Sequence, residues 1–255
     1  MIFIIGGKGF VGSAFVHHCK IASIDYKIIG KDNYKENIGQ SCDILINANG
    51  NSKKFLAEND YIADFEASVT SVKLTLNDFN YKNYIYLSSG DVYPDPTSIK
   101  TTRESQPIDI TLLSSYGFHK YLAELCVMQK SKKWWIFRLT GMVGVGLKKN
   151  PIYDILFGEK LWLSPASKLQ YINTNDVANV IMNVVKKCEP NQIFNIAGKG
   201  LVKIEDILSL AGRKIEIKDP NNVIIQNINT KKIEKHVRLP RSTKSVQMFM
   251  EDLVY

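Results

Sequence analysis

The chain has 255 residues, 45% of them apolar and 23% charged, and a formal net charge of +8. That length and balance fit one α/β domain, alone or with a small appendage, and can bury a sizeable core. No apolar run reaches ~18 residues, which excludes a membrane-spanning helix, and the lysines fall in scattered pairs without a nucleic-acid motif, which excludes a nucleic-acid-binding block.

Residues 2–5 (IFII) read as a buried parallel strand, since such strands are covered on both faces and run continuously apolar. The opening MIFIIGGKGF lacks the basic start of a secretory leader, and Gly6, Gly7 and Lys8 interrupt its apolar run. A loop from Gly6 to Gly12 enters a helix that reaches about Ala22. Strands are predicted at 26–31 and 43–48, then a helix over 61–79 and a strand at 84–88. A polar, proline-containing loop at 91–112 leads to a helix that carries Tyr116 and Lys120 and ends near Lys132. A strand at 134–139 follows. This alternation is the βαβ pattern of a doubly wound parallel sheet. After Gly141 it loosens: loop and short helix at 142–169, a short strand and a helix from near Asp176 over 171–187, a strand at 193–196 and a helix at 203–211. A final helix is expected around 242–253, after Leu239-Pro240.

Cys19, Cys42, Cys126 and Cys188 form no C-x-x-C pair and have core-like neighbours, so they read as free thiols of a cytoplasmic protein. His17, His18, His119 and His236 show no metal-ligand spacing, and no metal is expected.

The segment Gly6-Gly7-Lys8-Gly9-Phe10-Val11-Gly12 places a glycine at every third position between a strand and a helix. Glycine allows the tight turn and a close backbone approach to a pyrophosphate, and the helix N-terminus offers free N–H groups. A bare glycine triplet is often only a turn; in this context it reads as a dinucleotide-binding loop. Asp32 closes the second strand, where an acid accepts both hydroxyls of an adenosine ribose. That favours NAD over NADP, although Lys31 beside it suits a 2′-phosphate and Asp32 is also a plausible turn residue.

Tyr116 and Lys120 share one face of a helix. A nearby ammonium favours the phenolate. Tyrosine titrates near ~10, so acting as a base at neutral pH needs a drop of about 3 in pKa, or ~4 kcal/mol. An exposed helical pair supplies only ~0.5 kcal/mol. The pair therefore predicts a partly desolvated cleft. His119 lies off that face and reads as non-catalytic; Tyr93, Trp134 and Trp135 read as packing.

Together these residues resemble the extended short-chain dehydrogenase/reductase family, of the NAD-dependent epimerase/dehydratase type that modifies nucleotide sugars. GGKGFVG matches its glycine spacing. Asn47-Ala48-Asn49-Gly50 is similar to its segment beneath the cofactor, and Leu87-Ser88-Ser89-Gly90-Asp91-Val92-Tyr93 to its strand-end signature. Tyr116 and Lys120 match its Y-x-x-x-K, with Glu124 one turn on. Arg138-Leu139-Thr140-Gly141, Asn175-Asp176-Val177-Ala178 and Phe194-Asn195-Ile196 resemble later motifs, and Leu239-Pro240 with Ser245-Val246 its C-terminal cap.

The resemblance implies a Rossmann-type doubly wound parallel sheet with a small C-terminal substrate-binding cap. Residues 1–141 would form the dinucleotide-binding domain, completed by about 170–198. Residues 142–169 and 199–255 would form the cap. Gly6, Gly9, Phe10, Val11, Gly12, Asp32, Asn47, Ala48, Asn49, Tyr116 and Lys120 would hold NAD or NADP. Ser89, Tyr116 and Lys120 would be catalytic: Tyr116 moves the hydroxyl proton, Ser89 orients the carbonyl or alkoxide, and Lys120 binds the nicotinamide ribose and depresses the Tyr116 pKa. A homodimer through the helices at 61–79 and 114–131 is also implied.

Three departures are visible. The short gap between Asp32 and Asp43 leaves the family's third strand shortened or absent. An asparagine common behind the site is replaced by Ser68. Dehydratases carry an Asp–Glu pair where this chain has Gly90 and Asp91, and glycine cannot act as the acid, so 4,6-dehydration is not expected. Reduction of a 4-keto sugar nucleotide leads, since the cap is small and no adenine clamp is evident, with 4-epimerisation close behind. The alternative of another class is a non-catalytic NAD(P)-binding sensor or scaffold; reduction of a small non-nucleotide carbonyl is a third.

Overall fold

A computed structural model describes residues 1–51, 54 and 56–253. Strands β1 (Ile2–Ile5), β2 (Tyr26–Ile29), β3 (Ser41–Asn47), β4 (Asn80–Ser89), β5 (Trp134–Leu139) and β6 (Gln192–Ile196) form a six-stranded sheet in the order β6-β5-β4-β3-β1-β2. All of its pairings are parallel. The helices are α1 (Gly12–Ile21), α2 (Leu56–Asn59), α3 (Tyr61–Phe65), α4 (Ser71–Asp78), α5 (Ser115–Lys130), α6 (Pro151–Phe157), α7 (Thr174–Lys187), α8 (Ile204–Ala211) and α9 (Ser242–Glu251).

Alternation along each strand sorts the apolar side chains onto two faces. Ile2 and Ile4 of β1 and Ile85 and Leu87 of β4 pack with α1 and α7. Phe3, Ile5, Tyr84 and Tyr86 pack with α4 and α5. Both faces are covered, which is why these strands read as unbroken apolar runs.

Two elements differ from expectation. β4 begins at Asn80, because Asn80, Tyr81 and Asn83 pair beside Ser41, Cys42 and Ile44 at a half-exposed end of the sheet where no apolar pattern is needed. The helix predicted over 61–79 is α3 and α4 joined through a π-helical stretch, Glu66–Thr70, that buries Ser68 and Val69. Between β2 and β3 the described residues hold only a 3-10 turn, Lys35–Asn37, and no strand.

Beyond β5 a separate apolar cluster forms around Val143, Ile152, Leu161, Ile204, Ile207 and Phe249, drawing on α6, α8 and α9. Parallel pairing of Gly141–Val143 with Tyr171–Asn173 ties this part to the sheet. All four cysteines are free. Among the described residues no helix is long and apolar enough to cross a membrane, and no group of acidic, histidine and cysteine side chains could hold a metal ion.

The parallel strands point their C-terminal ends to one edge. β2 and β3 leave β1 in opposite directions, so a crevice opens between the ends of β1 and β3, the usual ligand position in such sheets.

Candidate active site

The crevice is walled on one side by backbone. Gly6 has φ +74°, and a Cβ there would lie 3.2 Å from the Ala48 carbonyl oxygen beyond β3. A Cβ on Gly12 would lie 2.2 Å from the Gly6 carbonyl oxygen. The Gly9 N–H donates to that same oxygen at 2.8 Å. The loop can therefore close this tightly only without side chains at Gly6 and Gly12. α1 starts with no side-chain cap and no acidic residue in its first turn; the Ser13 and Ala14 N–H groups donate to the Gly9 and Val11 carbonyls at 2.9 and 3.1 Å, and the positive end of the helix faces the loop. Phe10 leans on the outer apolar cluster and Val11 on the main core.

Asp32 accepts a hydrogen bond from Lys8 Nζ at 2.7 Å, with the two side chains 63% and 72% exposed. That bond is the main cause holding the Asp32 carboxyl below its ordinary value. Lys8, inside the glycine loop, thus adds a cation beside Asp32. Asn47 is fully buried: its Nδ2 donates to Thr75 Oγ1 at 3.0 Å and to the Tyr84 hydroxyl at 2.9 Å. Its Oδ1 accepts from the Asn49 N–H at 3.0 Å. The Asn47 side chain therefore belongs to the core and shapes the Ala48–Asn49 turn, while the Ala48 N–H donates to the Ile5 carbonyl at 3.1 Å.

The other wall is built from side chains. Ser114 caps α5 by accepting from the Gly117 N–H at 3.1 Å. A Cβ on Gly117 would lie 2.3 Å from the Asp91 carbonyl oxygen. This close approach presses the first turn of α5, with Tyr116, onto the Gly90–Val92 turn that ends β4. Lys120, one turn on, is buried; its Nζ donates to the Leu87 carbonyl at 2.9 Å and lies 4.7 Å from the centre of the Tyr86 ring. Burial lowers its pKa to about 8, against the attraction of Glu124, Asp64 and Asp91. Lys120 is thus desolvated, as the pair requires.

Tyr116 behaves differently from the sequence-based expectation. Burial first, then the Asp91 and Asp64 carboxylates, push its phenol up, and a hydrogen bond with Ser89 opposes them. Lys120 Nζ is directed to the Leu87 carbonyl and the Tyr86 ring. Ser89 Oγ donates to Asp91 Oδ2 at 2.7 Å and accepts from the Asp91 N–H at 3.2 Å. Lys54 Nζ donates to Asp91 Oδ1 at 2.6 Å and stands 5.9 Å from the centre of the Tyr116 ring.

Behind this wall lies a buried polar network. Glu124 accepts from Ser88 Oγ at 2.5 Å, Arg138 Nε at 3.0 Å and Arg138 Nη2 at 2.7 Å. Arg138 Nη1 donates to the Tyr93 hydroxyl at 2.8 Å, which donates to Asn195 Oδ1 at 2.9 Å. Tyr93 is thus a hydrogen-bonding relay as well as a packing residue. His119, read from sequence as facing away, pairs through Nδ1 with buried Asp64 at 2.5 Å and lies edge-on to Phe65. Ser68 Oγ donates to the same carboxylate at 3.4 Å and Asn51 Nδ2 at 2.6 Å.

Sequence reasoning missed Asp64 and Lys54, which lie in segments without motifs. It placed Asp91 in the strand-end signature and at the second dehydratase position but gave it no role. The one available signal was that Asp91 follows Ser89 by two positions, the spacing at which a strand-end serine caps a turn.

Residues 2–197 match the profile of the family described as NAD dependent epimerase/dehydratase. No curated protein sequence matches the chain. Among solved structures, a UDP-galactose 4-epimerase superposes with a TM-score of 0.83 at 19% identity, covering 99% of this chain and 98% of its own. MoeE5, solved with UDP-glucose and NAD, gives 0.78 at 12% identity over 100% and 99% of the two chains. The dTDP-4-dehydrorhamnose reductase of Bacillus anthracis, solved with NADP, gives 0.76 at 14% identity over 98% of each. At these identities the likeness is one of fold.

Proposed function

The chain belongs to the NAD dependent epimerase/dehydratase family, and we propose that it is an oxidoreductase that reduces the 4-keto group of a nucleotide-linked sugar with NADH or NADPH. The grouping of Tyr116, Ser89 and Lys120 carries this reading. Gly117 seats the first turn of α5 on the Gly90–Val92 turn beside Ser89, Lys120 is buried one turn on, and a reduction needs a proton donor such as the Tyr116 phenol beside the carbonyl oxygen.

The cofactor fits the residues present. Gly6 and Gly12 let the loop close tightly on itself and against Ala48, the turn a pyrophosphate would approach, and the uncapped start of α1 turns its positive end toward it. Gly6, Gly9, Phe10, Val11, Gly12 and the Asn47–Asn49 turn would line the dinucleotide, with Lys120 at its nicotinamide end. Asp32 would accept the adenosine ribose hydroxyls of NAD; Lys8 and Lys31 beside it would receive the phosphate of NADP. When bound, the reduced nicotinamide supplies a hydride to the carbonyl carbon. Tyr116 gives its phenolic proton to the carbonyl oxygen, and Ser89 orients the phenol. Residues 142–169 and 199–255 would receive the sugar nucleotide, a substrate class supported by the UDP-glucose held by MoeE5.

A second reading, 4-epimerisation, rests on the likeness in fold to the UDP-galactose 4-epimerase. It requires Tyr116 to remove a proton first, beside an oxidised nicotinamide. The apolar side chains Tyr61, Ile62, Leu74 and Leu125, exposed on α3, α4 and α5, suit pairing of two copies in a cytoplasmic homodimer.

The test supplies the purified protein with 4-keto-6-deoxy sugar nucleotides and NADH or NADPH and follows the nicotinamide absorbance. Stoichiometric oxidation is the expected result. Isomer exchange without net oxidation would assign an epimerase instead. No reaction with either class, together with an unchanged Tyr116→Phe variant, would remove the catalytic reading.

A further inference from the structure

Asp64, on α3, is a fully buried carboxylate that the proposed chemistry does not use. Donors from three other parts of the chain converge on it. His119 Nδ1, on α5, pairs with Oδ2 at 2.5 Å. Asn51 Nδ2, from the segment after β3, donates to Oδ1 at 2.6 Å, and Ser68 Oγ, in the π-helical stretch, reaches the same oxygen at 3.4 Å. The His119 ring rests against Phe65 and Phe118, with centroids 5.3 and 6.0 Å away. A buried carboxylate is costly unless its oxygens are met in this way, so the three segments are held to one another through it.

These bonds act at one place in the cleft. Gly50, just before Asn51, has φ +143°, and a Cβ there would lie 3.5 Å from Lys120 Nζ. His119 is the residue just before Lys120. Asp64 thus joins the neighbours of both, and draws the Gly50 backbone onto α5 where the Lys120 ammonium emerges. Its charge also attracts that ammonium. We infer that Asp64 and His119 are positioning residues for the nicotinamide half of the cofactor, because they set the gap between the Gly50 backbone and Lys120 Nζ. The inference rests on the cofactor site proposed above, in which the turn after β3 lines the dinucleotide and Lys120 meets its nicotinamide end. The adenosine and pyrophosphate half would rest on the glycine loop, which closes on itself and on Ala48. The clamp therefore governs one half of the cofactor and not the other.

The test compares two ligands by calorimetric titration of the full chain. NADH or NADPH reaches both halves of the site; ADP, or ADP with a 2′-phosphate, reaches only the adenosine and pyrophosphate half. His119→Leu should weaken the dinucleotide by about ten-fold or more and ADP by less than about two-fold, since a misplacement of about 1 Å is costly only where the geometry is disturbed. His119→Asn, whose amide nitrogen can stand where Nδ1 does, should restore the dinucleotide affinity. Equal losses for both ligands, an unchanged dinucleotide affinity, or no rescue by His119→Asn would overturn the inference.

A second arm decides the matter should His119→Leu not fold. Asn51 is only half-buried, and Asn51→Ala removes one bond of the cluster while the His119–Asp64 pair stays. It should weaken the dinucleotide by about three-fold or more, the size of one hydrogen bond, and leave ADP unchanged; equal effects on the two ligands would again overturn the inference. A wild type that binds neither dinucleotide removes the cofactor reading and the inference with it. Wild-type binding of a dinucleotide, with variants that lose both ligands alike, removes the inference alone.

Discussion

At the β1–α1 end of the cleft the chain shapes a surface by leaving side chains out; at the β4–α5 end it buries charged ones. The first wall consists of Gly6, Gly9 and Gly12, with Asn47 turned inward to hold the opposite turn. The second sets buried Lys120 and Asp64 near the Tyr116 phenol, with the buried Glu124–Arg138 pair behind them. Backbone geometry at a glycine loop is local, so the first wall tolerates little change but depends on few distant residues. Buried charges need partners, so the second wall depends on residues from across the chain.

The largest expected effect breaks the second wall at its centre. Tyr116→Phe should lower turnover by about 10²–10⁴-fold, the range for a lost general acid, while cofactor affinity, a property of the first wall, stays within a few-fold. Steady-state rates and cofactor titration measure both, and substantial retained turnover would contradict the assignment. Next is Glu124→Gln, which leaves Arg138 buried without its counter-charge. It should cost about 3–5 kcal/mol of stability, read from the denaturant midpoint. A loss below about 1 kcal/mol would show that Arg138 has another anchor.

Gly12→Ala tests the first wall. Its methyl would stand 2.2 Å from the Gly6 carbonyl oxygen, so the loop must open. Cofactor affinity should fall by about ten-fold or more, with a stability loss of about 1–3 kcal/mol.

Lys120 gives a pH test of the desolvated cleft. The unfolded chain keeps this lysine protonated to ~10.4, but burial brings it to about 8 in the fold. Below pH 8 both states carry the charge, and burying it lowers stability in full. Between about 8 and ~10.4 the folded state sheds its proton and the penalty fades. Lys120→Met should therefore be more stable than wild type at pH 7, by on the order of 3 kcal/mol, and the gap should narrow as pH rises through that window. A gap that is absent or widens would show that Lys120 is solvated. The smallest effect belongs to the exposed Lys8–Asp32 pair. Lys8→Ala should leave stability within about 0.5 kcal/mol and weaken NADPH binding more than NADH binding; equal affinities before and after would remove Lys8 from cofactor choice.

These contrasts follow what could be read along the chain. The strand-loop-helix run around Gly6–Gly12 announces itself because its geometry arises within a few residues. The Tyr116–Lys120 spacing and the strand-end serines were legible for the same reason. The electrostatics of the site were not. Spacing alone suggested that Lys120 would bring the Tyr116 phenol down, whereas burial, and after it Asp91 and Asp64, push it up. His119 was set aside from helix phase, and only the packing of α3 on α5 shows that it meets Asp64.

The sequence by itself determined the parallel α/β sheet, the glycine loop that serves it and the residue types of the catalytic pair, because periodicity and turn chemistry act over short stretches. Only the tertiary structure decided which charges surround Tyr116, since Lys54, Asp64, Asp91 and Lys120 come from separate segments. In a desolvated cleft, distances of a few ångströms set the balance among them.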